Sequence, residues 1–221
     1  MSRWRPERAV VRLADGLVPD EGDGAPAAMR AVAALARQLD AHPQAAKTRV
    51  ACIVPSRFVR YLAVPWNAAM QSASARQAFA EHCFRETFGT LARDWVVRVD
   101  APHWERPSLA CAMESGLLDA LARMMAERKL VLCSVQPALM HEFNALDRAS
   151  TAGARWIVVP DADGLTLLLV EDGHVVCVKV VAGGLGEVDA ILAREWFMLG
   201  REAPAPASRI CAPPTAAAAT A

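Results

Sequence analysis

A chain of 221 residues suffices for one large domain, or for a core with a small appended subdomain, and at 54% apolar it can bury a full hydrophobic interior. Its 24 basic residues are balanced by 24 acidic ones with no basic run, and aromatic residues make up 6%, not interleaved with basic ones. Wholesale phosphate neutralisation along a nucleic acid and base-stacking platforms are both excluded by that pattern.

The N-terminus, "MSRWRPERAVVRLADGL", has no continuous apolar stretch of the secretory-signal kind, and no window approaches the roughly eighteen apolar residues of a membrane span. The expectation is a cytoplasmic protein that does not itself insert into a membrane. The six cysteines (Cys52, Cys83, Cys111, Cys133, Cys177 and Cys211) include no Cys-x-x-Cys pair. Most sit in apolar runs and read as reduced, small hydrophobes.

In chain order, "RAVVRLA" predicts a first strand over Arg8–Ala14, followed by the acidic, Gly-rich loop "DGLVPDEGDGAP". An Ala-rich helix is expected over Pro26–Ala41, with Val32, Leu35, Ala36 and Leu39 on one face. Two strands follow, Arg49–Val54 and Phe58–Val64, each closed by a proline, Pro55 or Pro65. Ser72 can cap a long helix that Gly89 stops. That helix carries Ala75, Phe79, His82 and Cys83 on one side, with Phe84, Phe88 and Leu91 on another, which suggests that it is sandwiched.

"DWVVRVDA" and "SLACAME" read as short strands around the loop "PHWERP". Leu117, Leu118, Leu121, Met124 and Met125 then mark a helix that Ser115 can cap. "KLVLCSVQP" is a strand and "ALMHEFNALDR" a short helix. The stretch "RWIVVPDADGLTLLLVEDGHVVCVKVVAGGLGEV" supplies two or three further strands, with Asp172-Gly173 signalling a type I′ hairpin turn. A last helix is expected over Glu187–Leu199, and 200–221 reads as a disordered Pro/Ala-rich tail. Irregularly alternating strands and helices give a mixed sheet of α/β or α+β class.

Candidate chemistry is sparse. His141-Glu142 begins like a zinc-protease helix, but Ala145 stands where a second histidine is needed. His82 and Cys83 are adjacent on a helix and point about 100° apart, so they cannot form a dyad with each other. A Cys–His pair drawing on His103 or His174 is left as an alternative. Ser56, Ser74, Ser108 and Ser134 lack a nucleophile elbow. Gly183-Gly184-Leu185-Gly186 precedes a helix as phosphate loops do, but Glu187 and Asp189 already occupy the first turn and repel an anion.

Several segments, taken in order, resemble the actin-like proteins of pilus assembly and type II secretion, the PilM-type cytoplasmic protein and the GspL-type cytoplasmic domain. "VACIVPSRFVRYLAVPW" resembles that family's paired strands with its Val54-Pro55 and Val64-Pro65 endings. "SARQAFAEHCFRETFG" falls where the family has an Ala- and Glu-rich helix. "LLDALARMMAERKLVLCSVQPALMHEFNAL" matches its helix, strand and short helix, and "WIVVPDADGLTLLLVEDGHVVCVKVV" falls at the start of its second lobe.

The resemblance implies an actin-like, RNase H-like core in a single domain over 1–199. A first lobe of about 8–150 would hold a small inserted subdomain, and about 154–199 would be the remnant of a second lobe. It also implies a scaffold on the cytoplasmic side of a bacterial inner membrane, docking a peptide or domain of a membrane-spanning assembly partner. PilM-type proteins bind ATP, whereas GspL-type domains have largely lost that site. Here Asp15-Gly16 are adjacent with no Lys after them, the family's Asp-x-Gly falls on Ala162-Asp163-Gly164 with the acid displaced to Asp161, and Thr166 has no basic companion. The expectation is therefore a non-catalytic adaptor with no cofactor, no metal and no catalytic residue. An ATP-binding switch of the same system, or a Cys–His hydrolase, stands as the alternative.

Overall fold

The computed structural model describes residues 26–68, 70, 72–101, 105–145, 153–161, 164–202 and 206–211. The expected strand Arg8–Ala14, Asp15-Gly16, His103, Ala162, Asp163 and residues 203–205 and 212–221 of the expected tail lie outside them.

Helix α1 (Ala27–Ala41) starts directly after Pro26, whose φ of −54° suits the entry to a helix. Strand β1 (Arg49–Val54) ends at Pro55 and pairs in parallel with β5 (Val131–Pro137). The next strand begins later than expected. Phe58 closes a 3-10 turn, its N–H donating to the Pro55 carbonyl at 3.1 Å and that of Val59 to Ser56 at 2.9 Å. Strand β2 then runs Arg60–Val64.

Helix α2 (Ala73–Phe88) is capped by Ser72, whose Oγ accepts from the Ala75 N–H at 3.0 Å, and stops at Gly89 with φ of 61°. It lies on an antiparallel sheet of order β2-β4-β3, where β3 is Trp95–Val99 and β4 is Ser108–Glu114. Along β4 the side chains alternate between two cores, as pleating requires. Ala110 and Ala112 face α2 and the fully buried Phe84, while Leu109 and Met113 face the central interior. The expected sandwich is not formed among the described residues. His82 is exposed, and Leu91 falls beyond Gly89 in a 3-10 turn that leaves it 72% exposed.

Helix α3 (Ser115–Glu127) follows β4 without a loop. Glu114 is still paired with Trp95 and itself takes the N-cap position, so Ser115 is the first helical residue rather than the cap. Leu117, Leu121, Met124 and Met125 form its buried stripe. Helix α4 (Ala138–Ala145) continues straight from β5 and buries Leu139 completely.

The C-terminal part is an antiparallel meander of β6 (Ala154–Asp161), β7 (Gly164–Glu171) and β8 (His174–Val181). Asp172 and Gly173 both take positive φ, 51° and 78°, as a type I′ turn demands. Strand β7 is covered on both faces, which explains its unbroken apolar run. Leu165, Leu167 and Leu169 meet Trp156 and helix α5 (Val188–Met198), whereas Leu168 and Val170 join the central core with Ile157, Val159 and residues of α1, α3 and α4. A 3-10 turn over Leu185–Glu187 precedes α5, which therefore starts at Val188 rather than Glu187.

One expectation is overturned inside the supposed tail. Ser208–Ile210 form β9, parallel to β6, giving a sheet of order β8-β7-β6-β9. The Trp156 N–H donates to Ala207 O at 3.2 Å, the Cys211 N–H donates to Val158 O at 2.8 Å, and Cys211 is buried in the central core. The open edge of β6 offers the ladder bonds that repay the ordering of "SRIC", which composition averaged over the whole segment conceals.

Candidate functional site

The β6–β7 hairpin is where the resemblance to actin-like proteins would place a phosphate clasp, and its described groups Asp161, Gly164 and Thr166 are turned to interior use. Asp161 stands opposite Gly164 in the ladder, and its Oδ2 accepts the backbone N–H of Arg57 at 2.9 Å. The carboxylate thus ties the hairpin to the 3-10 turn between β1 and β2. Gly164 has φ of 155°, and a Cβ there would lie 2.3 Å from the Val181 carbonyl oxygen. Glycine is required by the close passage of β8. Thr166 is fully buried, and its hydroxyl has no hydrogen-bond partner among the described residues.

The Gly183–Gly186 loop is closed in a similar way. The Gly184 N–H donates to Glu187 Oε2 at 3.3 Å, and a Cβ on Gly183 would meet Ile191 Cδ1 at 2.7 Å. Gly183, at φ of 134°, lets the chain pass close to α5, and the chain's own carboxylate stands at the place an anion would take.

The candidate nucleophiles are distributed rather than gathered. Burial pushes the thiols of Cys52, Cys111 and Cys211 up to about 11, so they are protonated at neutral pH. Burial also raises Cys83, whose sequence neighbour His82 is exposed. Ser56 is buried with its Oγ 3.3 Å from the Tyr61 hydroxyl, and burial raises that tyrosine strongly. His141 is exposed on α4, and His174 lies at the start of β8. No group of three or more His, Cys, Asp or Glu side chains that could hold a metal ion occurs among the described residues.

What the residues do build is a notch of about 60 Å³ where α1 and α3 meet the three-stranded sheet. Its walls are Ala28, Phe58, Trp95, Ala112 and Leu117, with Arg57, Arg60 and Glu114 supplying polarity. The Arg57 guanidinium lies 4.9 Å above the Phe58 ring, and its Nε is buried with no hydrogen-bond partner among the described residues. Arg60 Nη1 donates to the carbonyls of Arg57 and Val59, both at 3.2 Å. An unfilled donor in an apolar-walled notch favours an incoming acceptor, since a buried, unpaired polar group costs about 1–3 kcal/mol. A wider, apolar groove of about 330 Å³ lies between β2 and α2, lined by Leu62, Pro65, Phe79 and Cys83 among others. Neither was foreseen from the sequence. The available signal was a pair of arginines three residues apart just after Pro55, inside an otherwise apolar strand pair.

No family model and no curated protein matches the sequence. Solved structures do share its fold. The cytoplasmic domain of EpsL, an inner membrane component of the type II secretion system of Vibrio cholerae, superposes with a TM-score of 0.53 at 10% identity, over 82% of this chain and 68% of that one. A chain of the PilM–PilN type IV pilus biogenesis complex gives 0.50 at 14% identity, over 75% and 52%. A protein with actin-like ATPase fold and unknown function from Bacteroides thetaiotaomicron gives 0.50 at 12%, over 76% and 63%. The chain has an actin-like fold. It spans about half to two thirds of the length of these actin-like structures. No helix among the described residues is long and apolar enough to cross a membrane.

Proposed function

We propose that this actin-like chain is a non-catalytic scaffold of a bacterial inner-membrane pilus-assembly or type II secretion complex. It works on the cytoplasmic side by binding a short segment of an assembly partner. The likeness to a secretion-system domain and to a pilus-biogenesis complex supports the setting. The observation that carries the non-catalytic part is Asp161. In the hairpin where an actin-like ATPase holds phosphate and magnesium, its carboxylate caps the chain's own Arg57 N–H.

The docking point follows from the notch. A partner segment lays an apolar side chain against Phe58, Trp95 and Leu117 and brings a carbonyl or carboxylate oxygen to Arg57 Nε. A photo-crosslinking residue in place of Leu117 or Arg60, used in cells, tests this. The expected adduct contains an inner-membrane pilus or secretion assembly protein. Adducts confined to metabolic enzymes would reject the scaffold.

A further inference from the structure

The notch at Arg57 lies where the chain enters helix α1. Pro26 and Ala27 are exposed at that entry, and the next residue, Ala28, is a wall of the notch. Residues 1–25 lie outside the described ones, but their sequence leads directly to this place. Between Arg12 and Arg30 there is no basic residue, and Asp15, Asp20, Glu21 and Asp23 all fall in that interval. Leu17-Val18-Pro19 immediately precede the last three of these acids. The notch offers the complementary pattern. Phe58, Trp95 and Leu117 make an apolar wall, and Arg57 and Arg60 outnumber Glu114. Arg57 Nε is buried with no hydrogen-bond partner among the described residues, and the carboxylate of Asp161 takes the Arg57 backbone N–H.

We infer that the chain's own residues 17–23 occupy this notch and compete there with a docking partner. Val18 lies against the apolar wall, and the Asp20 carboxylate accepts from Arg57 Nε. The reach is sufficient. Asp23 is five residues from Ala28 and Asp20 is eight, which an extended chain spans over as much as about 17 Å and about 27 Å. A short tether holds such a segment at an effective concentration on the order of millimolar, so weak contacts are enough to seat it. A guanidinium donating to a carboxylate is among the stronger bonds open to a buried donor. A partner meeting an occupied notch binds with an apparent Kd raised by the inverse of the fraction that is open. The occupancy stands on the notch and the sequence alone, whereas the competition rests on the scaffold reading proposed above.

A photo-crosslinking residue in place of Arg60, irradiated in the purified full chain with no other protein present, tests the occupancy. Mass spectrometry should find the adduct on residues 17–23. Asp20→Asn, Glu21→Gln and Asp23→Asn together, or Arg57→Gln alone, should lower its yield about tenfold. Both changes keep the tether, so an adduct caused by proximity alone would persist in them. In cells, the neutralised chain should give severalfold more adduct with an assembly protein than the wild type does. No adduct on residues 17–23, or equal yields from all three chains, would overturn the occupancy. A partner adduct no stronger from the neutralised chain would overturn the competition. An intramolecular adduct with no partner adduct from any chain would reject the scaffold reading, and the competition with it, while the occupancy stands.

Discussion

Glu195 is buried between α5 and β8, its carboxylate held by Lys179 Nζ and by the Arg194 guanidinium. The Lys179 hydrogen bond, followed by that of Arg194, lowers its pKa below the ordinary 4.5 against the opposing effect of burial. A carboxyl with a lowered folded value stabilises fully above its unfolded value and loses that contribution as pH falls through the folded one. Glu195→Gln should therefore lower stability by about 1–2 kcal/mol near neutral pH, held to that size because Lys179 and Arg194 reach solvent. Melting curves at several pH values check this, since the gap between wild type and variant should shrink below pH 4.5. A gap independent of pH would mean that the ion pairs carry no stability. Gly164 makes a second residue-scale case. Adding a Cβ there meets the Val181 carbonyl oxygen at 2.3 Å, so Gly164→Ala should cost about 1–3 kcal/mol in denaturant unfolding. Asp161 marks a limit of local reading. Its displacement from the family's Asp-x-Gly frame is visible in sequence, but its acceptance of the Arg57 N–H joins residues 104 apart and is not.

At the scale of elements, turn and cap chemistry were legible because they are local. Ser72 accepts the N–H of Ala75, Gly89 takes positive φ, and Asp172-Gly173 closes its hairpin as its residue types require. The apolar run of β7 reflects burial on both faces that only the packed structure shows, and the alternation of β4 is plain once α2 is seen to lie on its alanine side. What failed did so for tertiary reasons. Ser115 lost its capping role because β4 runs into α3 without a break, and β9 was hidden because its few orderable residues sit within a Pro/Ala-rich stretch. A truncation before Ala207 should thus lower the unfolding free energy by at least about 2 kcal/mol of ladder bonds and burial, and the melting temperature with it, while one after Cys211 should leave both unchanged. Equal melting temperatures for the two truncations would deny β9 any part in the fold. Phe84→Ala, at the contact of α2 with its sheet, should cost about 3–5 kcal/mol.

At the scale of the molecule, an actin-like core is combined with a hairpin tied to its own backbone and a Gly-rich loop closed by its own glutamate. The fold class was readable from the order of strands, helices and proline endings. The notch was not, because it joins α1, α3 and strands that only tertiary packing brings together. A scaffold of this kind should show no melting shift with Mg-ATP, whereas a nucleotide switch would gain about 2.7 kcal/mol at one hundred times Kd. The central claim is that the Arg57 notch receives a segment of an assembly partner. Affinity purification of the tagged full chain from detergent-solubilised inner membranes, in parallel with the Arg57→Ala and Ala28→Trp variants, tests it most directly. The predicted result is recovery of an inner-membrane pilus or secretion assembly protein by the wild type, with recovery reduced roughly tenfold or more by either variant, a loss of at least about 1.4 kcal/mol of binding. Recovery of that protein undiminished by both variants, or recovery of no assembly protein at all, would contradict it.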